Sequence, residues 1–382
     1  MEYPSSRLPK VGTTIFSEMS ALAAQHQAIN LSQGFPDFDG PEALRDRVTH
    51  YLNSGANQYA PMAGMPQLRQ ALAGKTAELY QYAPCPESEI TVTSGATEAI
   101  FAAIASVVGP GDEVILFDPA YDSYEPAIEL NGGVAIRLPL TLPDFSVDWD
   151  QLEKTVTSRT RMIILNNPHN PTGATLSEQD LQQLSALVKG TNLLLLSDEV
   201  YEHIVFDGKP HLSLISVPEL RQRSFIVSSF GKTYHTTGWK IGYCIAPEPL
   251  MVEFRKVHQY LTFSTSTPMQ LALADYITAE PSHYQQLPVF YQHKRDRFNQ
   301  LMESSRFTFT PARGTYFQLM DYSQISDLDD LSFCRWLTEE VGVAAIPISV
   351  FCQQPLNAKL VRFCFAKNEQ TLAEAAQRLC RI

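Results

Sequence analysis

Four short β-rich runs, Glu113 to Asp118, Met162 to Asn166, Leu193 to Asp198 and Ser224 to Ser228, recur through the middle of the chain with helical patterns between them. Strands that alternate with helices pair in parallel and bury both faces, so the expected class is α/β, a mostly parallel sheet between layers of helix. Further strand candidates lie near Val134 and Ile241. Each of the four runs stops in turn-forming or polar residues: Pro119-Ala120-Tyr121, Asn167-Pro168-His169-Asn170-Pro171-Thr172-Gly173, Glu199-Val200-Tyr201, and Ser229-Phe230-Gly231-Lys232-Thr233-Tyr234. In open parallel sheets ligands bind outside the carboxyl ends of the strands. The four clusters are therefore expected to line one cleft.

A chain of 382 residues exceeds what one hydrophobic core supports. Past about residue 285 the pattern changes to a charged helix, Tyr291 to Glu303, then strands around Thr315 to Met320 and Leu360 to Phe365, and a closing helix from Glu369. The first forty or so residues have no sheet of their own and are expected to join this second unit. The expected division is a large domain over 46–284 and a small α+β domain formed by both chain ends, 1–45 and 285–382.

Composition excludes several classes of function. With 41 acidic against 29 basic residues, a net charge of -12 and no run of lysine or arginine, the chain has no track for a nucleic-acid backbone. The N-terminus lacks a basic segment followed by an apolar one, and no apolar run approaches the roughly 18 residues that span a bilayer. A soluble cytoplasmic protein without membrane or nucleic-acid partners is the expectation. Cys85, Cys244, Cys334, Cys352, Cys364 and Cys380 form no C-x-x-C pair, and the histidines no H-E-x-x-H pattern, so neither a disulfide framework nor a metal site is expected.

Lys232 is the most informative residue. A lysine amine titrates near about 10.4 and becomes a nucleophile only where its surroundings lower that value. Gly231-Lys232-Thr233 is not a phosphate loop, because position 226, where that motif needs glycine, is Ile226. Five ordinary readings stand beside the chemical ones: a surface lysine at Lys232, a helix N-cap at Asp198, a turn residue before Pro171 at Asn170, core packing at Tyr121, and an arginine facing water from an edge strand at Arg362.

Taken together, Asn166-Asn167-Pro168-His169-Asn170-Pro171-Thr172-Gly173, Ser197-Asp198-Glu199-Val200-Tyr201, Ser229-Phe230-Gly231-Lys232-Thr233, Thr237-Gly238-Trp239-Lys240-Ile241-Gly242-Tyr243 and Leu360-Val361-Arg362-Phe363 resemble the class I/II aminotransferases. These are pyridoxal 5'-phosphate enzymes of fold type I. The resemblance spans nearly the whole chain and is nearest to the bacterial methionine aminotransferases of the kynurenine/glutamine aminotransferase branch. It implies that Lys232 holds the cofactor covalently and moves the substrate's α-proton, that Asp198 faces the pyridine nitrogen, and that Asn170 and Tyr201 bond the phenolic oxygen. Tyr121 would stack on the ring. Gly95, Ala96 and Thr97, at a helix start after the run Ile90 to Thr93, would meet the phosphate together with Ser229 and Lys240.

Tyr59 would reach the phosphate of a neighbouring subunit, so a homodimer with shared active sites is implied. Arg362 would pair bidentately with the carboxylate that every amino acid and 2-oxo acid carries, assisted by the backbone near Gly34. Phe16, Tyr59 and the partner's Phe263 would line an apolar side-chain pocket. The implied reaction is ping-pong amino transfer, through pyridoxamine phosphate, from methionine or an aromatic or apolar amino acid to a 2-oxo acid. A cysteine-conjugate carbon–sulfur β-lyase and a kynurenine or glutamine aminotransferase are the alternatives. A non-catalytic effector-binding domain is the rival from another class, set back by the short segment ahead of Gly34 and the acidic balance. His169, where relatives often carry a second asparagine, departs from the pattern and puts the local loop geometry in question.

Overall fold

The computed structural model describes residues 3–356 and 358–382. The strands are β1 (Ile29–Asn30), β2 (Ile90–Thr93), β3 (Glu113–Asp118), β4 (Val134–Pro139), β5 (Thr160–Asn166), β6 (Leu194–Asp198), β7 (Ser224–Ser229), β8 (Gly242–Ile245), β9 (Phe317–Asp321), β10 (Val343–Ala344), β11 (Ile346–Pro347) and β12 (Leu360–Cys364). β2 to β8 form one seven-stranded sheet in the order β2-β8-β7-β6-β5-β3-β4. Only β8 runs against its neighbours β2 and β7; the other pairs are parallel.

The central strands read as nearly continuous apolar runs because helices cover both faces. Alternate residues of β3 part to opposite sides. Val114 and Leu116 join Ile100, Ile104 and Phe254 from the helices Gly95–Val107 and Glu248–Leu261, while Ile115 and Phe117 join Leu68, Leu72, Leu184 and Leu273 on the other face. The strand ends expected from sequence lie together at the carboxyl edge of this sheet.

A third core sits under a three-stranded antiparallel sheet of order β11-β12-β9, where Phe298, Phe307, Phe333, Tyr322 and Phe363 pack with Leu372. The N-terminal segment does reach a sheet: β1 pairs in parallel with β10, and Leu31 is buried in this same core. The helix expected from Tyr291 begins at Ser282 and runs to Met302 with Pro288 inside it. A proline removes one intrahelical donor, which reads as a break in sequence; here buried Leu287 and Tyr291 on either side hold the helix against the core. The water-facing reading of Arg362 is corrected as well. β12 is the middle strand of its sheet, and Arg362 is 1% exposed.

Just beneath the carboxyl edge lies a buried ionic cluster. Lys75 Nζ donates to Glu202 Oε1 at 2.8 Å and to the Tyr243 hydroxyl at 2.9 Å, while Tyr80, Tyr243 and Ser228 donate their hydroxyls to the Glu202 carboxylate. Burial alone would raise the Glu202 pKa, yet the adjacent Lys75 charge and these donors hold it well below the carboxylate range. Removing one partner of such a pair strands the other charge. Lys75→Met is expected to lower unfolding free energy by about 3–5 kcal/mol, with Lys75→Met/Glu202→Gln recovering much of it, measured by urea denaturation. A single-variant loss within experimental error would contradict this account.

Candidate active site

The loops after β3, β5, β6 and β7 and the start of the helix Gly95–Val107 enclose a cavity of about 210 Å³. Tyr121, Asn170, Asp198, Tyr201, Ser229, Lys232, Lys240, Gly95, Ala96 and Thr97 all line it, as do Asn166 and Thr237.

Lys232 lies in a four-residue helix, Phe230–Thr233, that starts as β7 ends; Ser229 caps it by accepting the Gly231 amide at 3.2 Å. Its Nζ donates to the Gly34 carbonyl at 3.0 Å and lies 5.7 and 5.5 Å from the Tyr201 and Tyr316 ring centres. Burial, reinforced by Arg362 and Lys240, lowers its pKa to about 8. This is no surface lysine.

No helix begins after Asp198, so its side chain is free of an N-cap role. The carboxylate accepts from the Tyr124 hydroxyl at 2.7 Å and the Val200 amide at 3.3 Å, and burial raises its pKa to about 6. Asn166 ties the two strand ends together: its Nδ2 donates to the Asp198 carbonyl at 2.9 Å and its Oδ1 accepts the Asn170 amide at 2.7 Å.

At the other end of the cavity, Gly95 takes φ of +80° and turns the chain into the helix Gly95–Val107. A Cβ there would lie 3.3 Å from Lys240 Nζ, and one on Gly242 would lie 2.7 Å from the Gly95 backbone. Two glycines thus let a strand, a helix N-terminus and a lysine converge, which makes a cradle for an anion.

Arg362 reaches the site from the second sheet. Nη1 donates to Asn170 Oδ1 at 2.8 Å and Nη2 to the Ser32 carbonyl at 2.9 Å. The guanidinium lies 3.8 Å from the Phe317 ring centre and 5.4 Å from that of Phe16, whose ring packs on Phe351. Burial lowers its pKa. Among the described residues no carboxylate forms an ion pair with it, and its buried Nε lacks a partner. A buried cation in that state calls for an anion.

Tyr59 and Phe263 stand apart. They meet edge to face at 5.6 Å, but are 86% and 42% exposed, and neither lines the cavity. His169 is buried, its Nδ1 2.7 Å from Thr172 Oγ1 and its pKa lowered by burial to about 4, so it fills its turn rather than the cavity. Sequence reasoning missed Tyr124, Ser32 and Phe317. Tyr124 had a faint signal, a second aromatic three residues after Tyr121, where the helix Tyr124–Leu130 begins.

The donor set fits pyridoxal 5'-phosphate. It offers a cradle of backbone donors and a cation for a phosphate, a buried carboxylate for a ring nitrogen, and an amine of lowered basicity for an aldehyde.

The chain matches the family described as aminotransferase class I and II over residues 26–379. It is 57% identical over 376 residues to methionine aminotransferase of Escherichia coli, covering 98% of this chain and 97% of that one. It is 41% identical over 386 residues to the probable N-succinyldiaminopimelate aminotransferase of Mycobacterium tuberculosis, covering 98% and 97%. Among solved structures it is similar to YbdL of Escherichia coli, whose crystal structure and reactivity identify a methionine aminotransferase function; the TM-score is 0.98, at 56% identity and full coverage of both chains.

An amine with a pKa near 8 reacts as its free base above that pH and is protonated below it. In cofactor-free protein, the rate of Lys232 acylation followed by mass spectrometry is expected to inflect near pH 8. An inflection above pH 10 would overturn the reading of this environment.

Proposed function

The chain belongs to the class I and II aminotransferases, and from that premise we propose that it moves the amino group of methionine, or of an aromatic or apolar amino acid, to a 2-oxo acid. It is a pyridoxal 5'-phosphate-dependent transaminase. When bound, that cofactor supplies an electron-withdrawing ring that stabilises the carbanion left after an α-proton is removed.

The chain's own residues do the rest. With the cofactor bound, Gly95, Ala96, Thr97, Ser229 and Lys240 would hold its phosphate. Asp198 would keep positive charge at the ring nitrogen, Tyr121 would pack against the ring, and Asn170 and Tyr201 would hold the phenolic oxygen. Lys232 Nζ would anchor the cofactor and would carry the proton away from the donor's α-carbon, as general base and then acid. Its lowered basicity leaves a useful fraction of free amine near neutral pH. Arg362 takes the substrate α-carboxylate, with the backbone near Gly34 beside it.

The observation that carries the choice of substrate is Arg362, a buried guanidinium without an acidic partner among the described residues and flanked by Phe16 and Phe317. One carboxylate satisfies it. A second carboxylate on the side chain would meet aromatic walls with no dedicated cation, an unfavourable burial. The similarity to methionine aminotransferase points the same way.

The proposal extends to a homodimer in which Tyr59 and Phe263 serve the partner's site, supported by the exposure of these two aromatics and of Tyr260 beside them. It places the large domain at 46–284 and the small domain at 1–45 and 285–382, supported by the separate core under the three-stranded sheet. A cytoplasmic location accords with six free cysteines.

Donors assayed with one 2-oxo acid and ranked by kcat/KM are expected to place methionine and aromatic amino acids at least tenfold above aspartate and N-succinyldiaminopimelate. Pyruvate and ammonia release from a cysteine conjugate, without amino transfer, would overturn the proposal. Lys232→Ala and Tyr59→Ala, each impaired alone, are expected to recover up to about a quarter of wild-type activity when mixed and reassociated, since one composite site is then intact. No recovery in mixed dimers would count against shared sites.

A further inference from the structure

One carbonyl oxygen holds two side chains of the site. Gly34 accepts from Lys232 Nζ at 3.0 Å and from the Tyr316 hydroxyl. A carbonyl oxygen has two lone pairs, so this acceptor is full. Tyr316 is completely buried directly ahead of β9, with its ring edge to face against Tyr201 at 5.2 Å and its ring centre 5.5 Å from Lys232 Nζ. The segment around Gly34 is pinned on both sides. The Leu31 carbonyl accepts the Cys364 amide at 2.8 Å, the Ser32 carbonyl Arg362 Nη2 at 2.9 Å, the Phe35 carbonyl Lys367 Nζ at 2.7 Å, and the Asp37 carboxylate the Asn368 amide at 2.6 Å. Gly34 itself lies close against Phe317, whose ring a Cβ there would meet at 2.8 Å. The Gly34 carbonyl is thus held within reach of Lys232 by contacts other than Tyr316.

A carbonyl oxygen binds an ammonium more tightly than an amine, and a bond to the charged form favours that form. With Lys232 as its only donor, the Gly34 carbonyl would make the lysine more basic. The positive hydrogen of a second donor on the same oxygen offsets part of that attraction. Burial, reinforced by Tyr201, Cys364 and Tyr291, raises the Tyr316 pKa well above its ordinary value, so its hydroxyl stays a donor. The other groups that act on Lys232 are Arg362 and Cys364 of β12, Lys240 ahead of β8, Asp198 at the end of β6, and Tyr201, whose ring centre lies 5.7 Å from Nζ. Arg362 and Lys240 oppose its charge, and Asp198 favours it. A carboxylate on Arg362 and a phosphate on Lys240 would cancel much of that opposition. The Tyr316 hydroxyl is uncharged and would keep its effect in the loaded site.

We propose that Tyr316 is a positioning residue that, by sharing the Gly34 carbonyl, prevents this oxygen from holding the free Lys232 amine as an ammonium and so keeps the amine ready to take a proton. The inference rests on the aminotransferase reading and deepens it, since a general base must be unprotonated when its turn comes. Tyr316 acts through the peptide and touches neither substrate nor cofactor in this role. A tyrosine present only to fill the core would be replaced by phenylalanine without any change in the titration of Lys232.

The test compares the full chain as wild type, Tyr316→Phe and Tyr291→Phe, both free of cofactor and loaded with pyridoxamine phosphate, which leaves the lysine amine free. Acetylation of Lys232 by acetic anhydride is followed by mass spectrometry across pH. Tyr316→Phe is expected to raise the inflection by about one pH unit in both forms, a tenfold change in the ionisation constant. Tyr291→Phe is the control for loss of a buried hydroxyl: its ring centre lies 5.6 Å from that of Tyr316, and its own hydroxyl makes no hydrogen bond among the described residues. It is expected to leave the inflection where it is. The inference is overturned if Tyr316→Phe leaves the inflection unchanged or lowers it in either form, or if Tyr291→Phe raises it equally. Acetylation needs no substrate, so it reads Tyr316 even in an enzyme that fails to transaminate methionine, an outcome that would sink the proposed substrate alone.

Discussion

A chain of polar contacts runs through the site from one sheet to the other. Tyr124 donates to Asp198, Asn166 bridges the Asp198 carbonyl and the Asn170 amide, and Asn170 accepts from Arg362, which also donates to Ser32. The members come from different strands and loops, so the carboxylate at one end and the guanidinium at the other are held at a fixed separation. Buried polar groups rigidify a structure when each finds a partner. Most of these do. The exception is Arg362, whose Nε lacks a hydrogen-bond partner and whose guanidinium forms no ion pair among the described residues.

The local field differs from that of the molecule. The chain carries a net charge of -12, yet Lys232 and Lys240 line one cavity with the buried carboxylate of Asp198, and Arg362 adds its charge nearby. Such a concentration of positive charge inside an acidic protein focuses small anions into the cleft. It also accounts for the basicity of Lys232, since each neighbouring cation adds to the effect of burial. Asp198 moves in the opposite sense for the same first reason, removal from water.

The sheet and its four polar strand ends were legible in the sequence because both signals are local: apolar runs of strand length, then turn residues. Lys232 and Asp198 sit at such ends and could be named. Arg362 could be named by motif but not oriented. Leu360-Val361-Arg362-Phe363-Cys364 gives no hint that β12 is a middle strand, which depends on pairing with β9 and β11 from distant parts of the chain. Tyr124 escaped notice because its partner is 74 residues away. Pro288 hid the first turns of the helix Ser282–Met302, whose stability comes from tertiary packing rather than propensity. Tyr59 and Phe263 are surface residues within one chain, and no pattern in a single sequence places a side chain relative to a second copy.

The Lys232 amine and the Arg362 guanidinium are carried by different cores. Lys232 follows β7 of the seven-stranded sheet, while Arg362 is set in β12 over the cluster of Phe298, Phe307 and Phe363. Repacking in one core can shift the guanidinium without touching the strands that fix the amine. A lineage built this way can explore new substrates by drift in its smaller core while its bond-breaking chemistry stays sheltered from the same mutations.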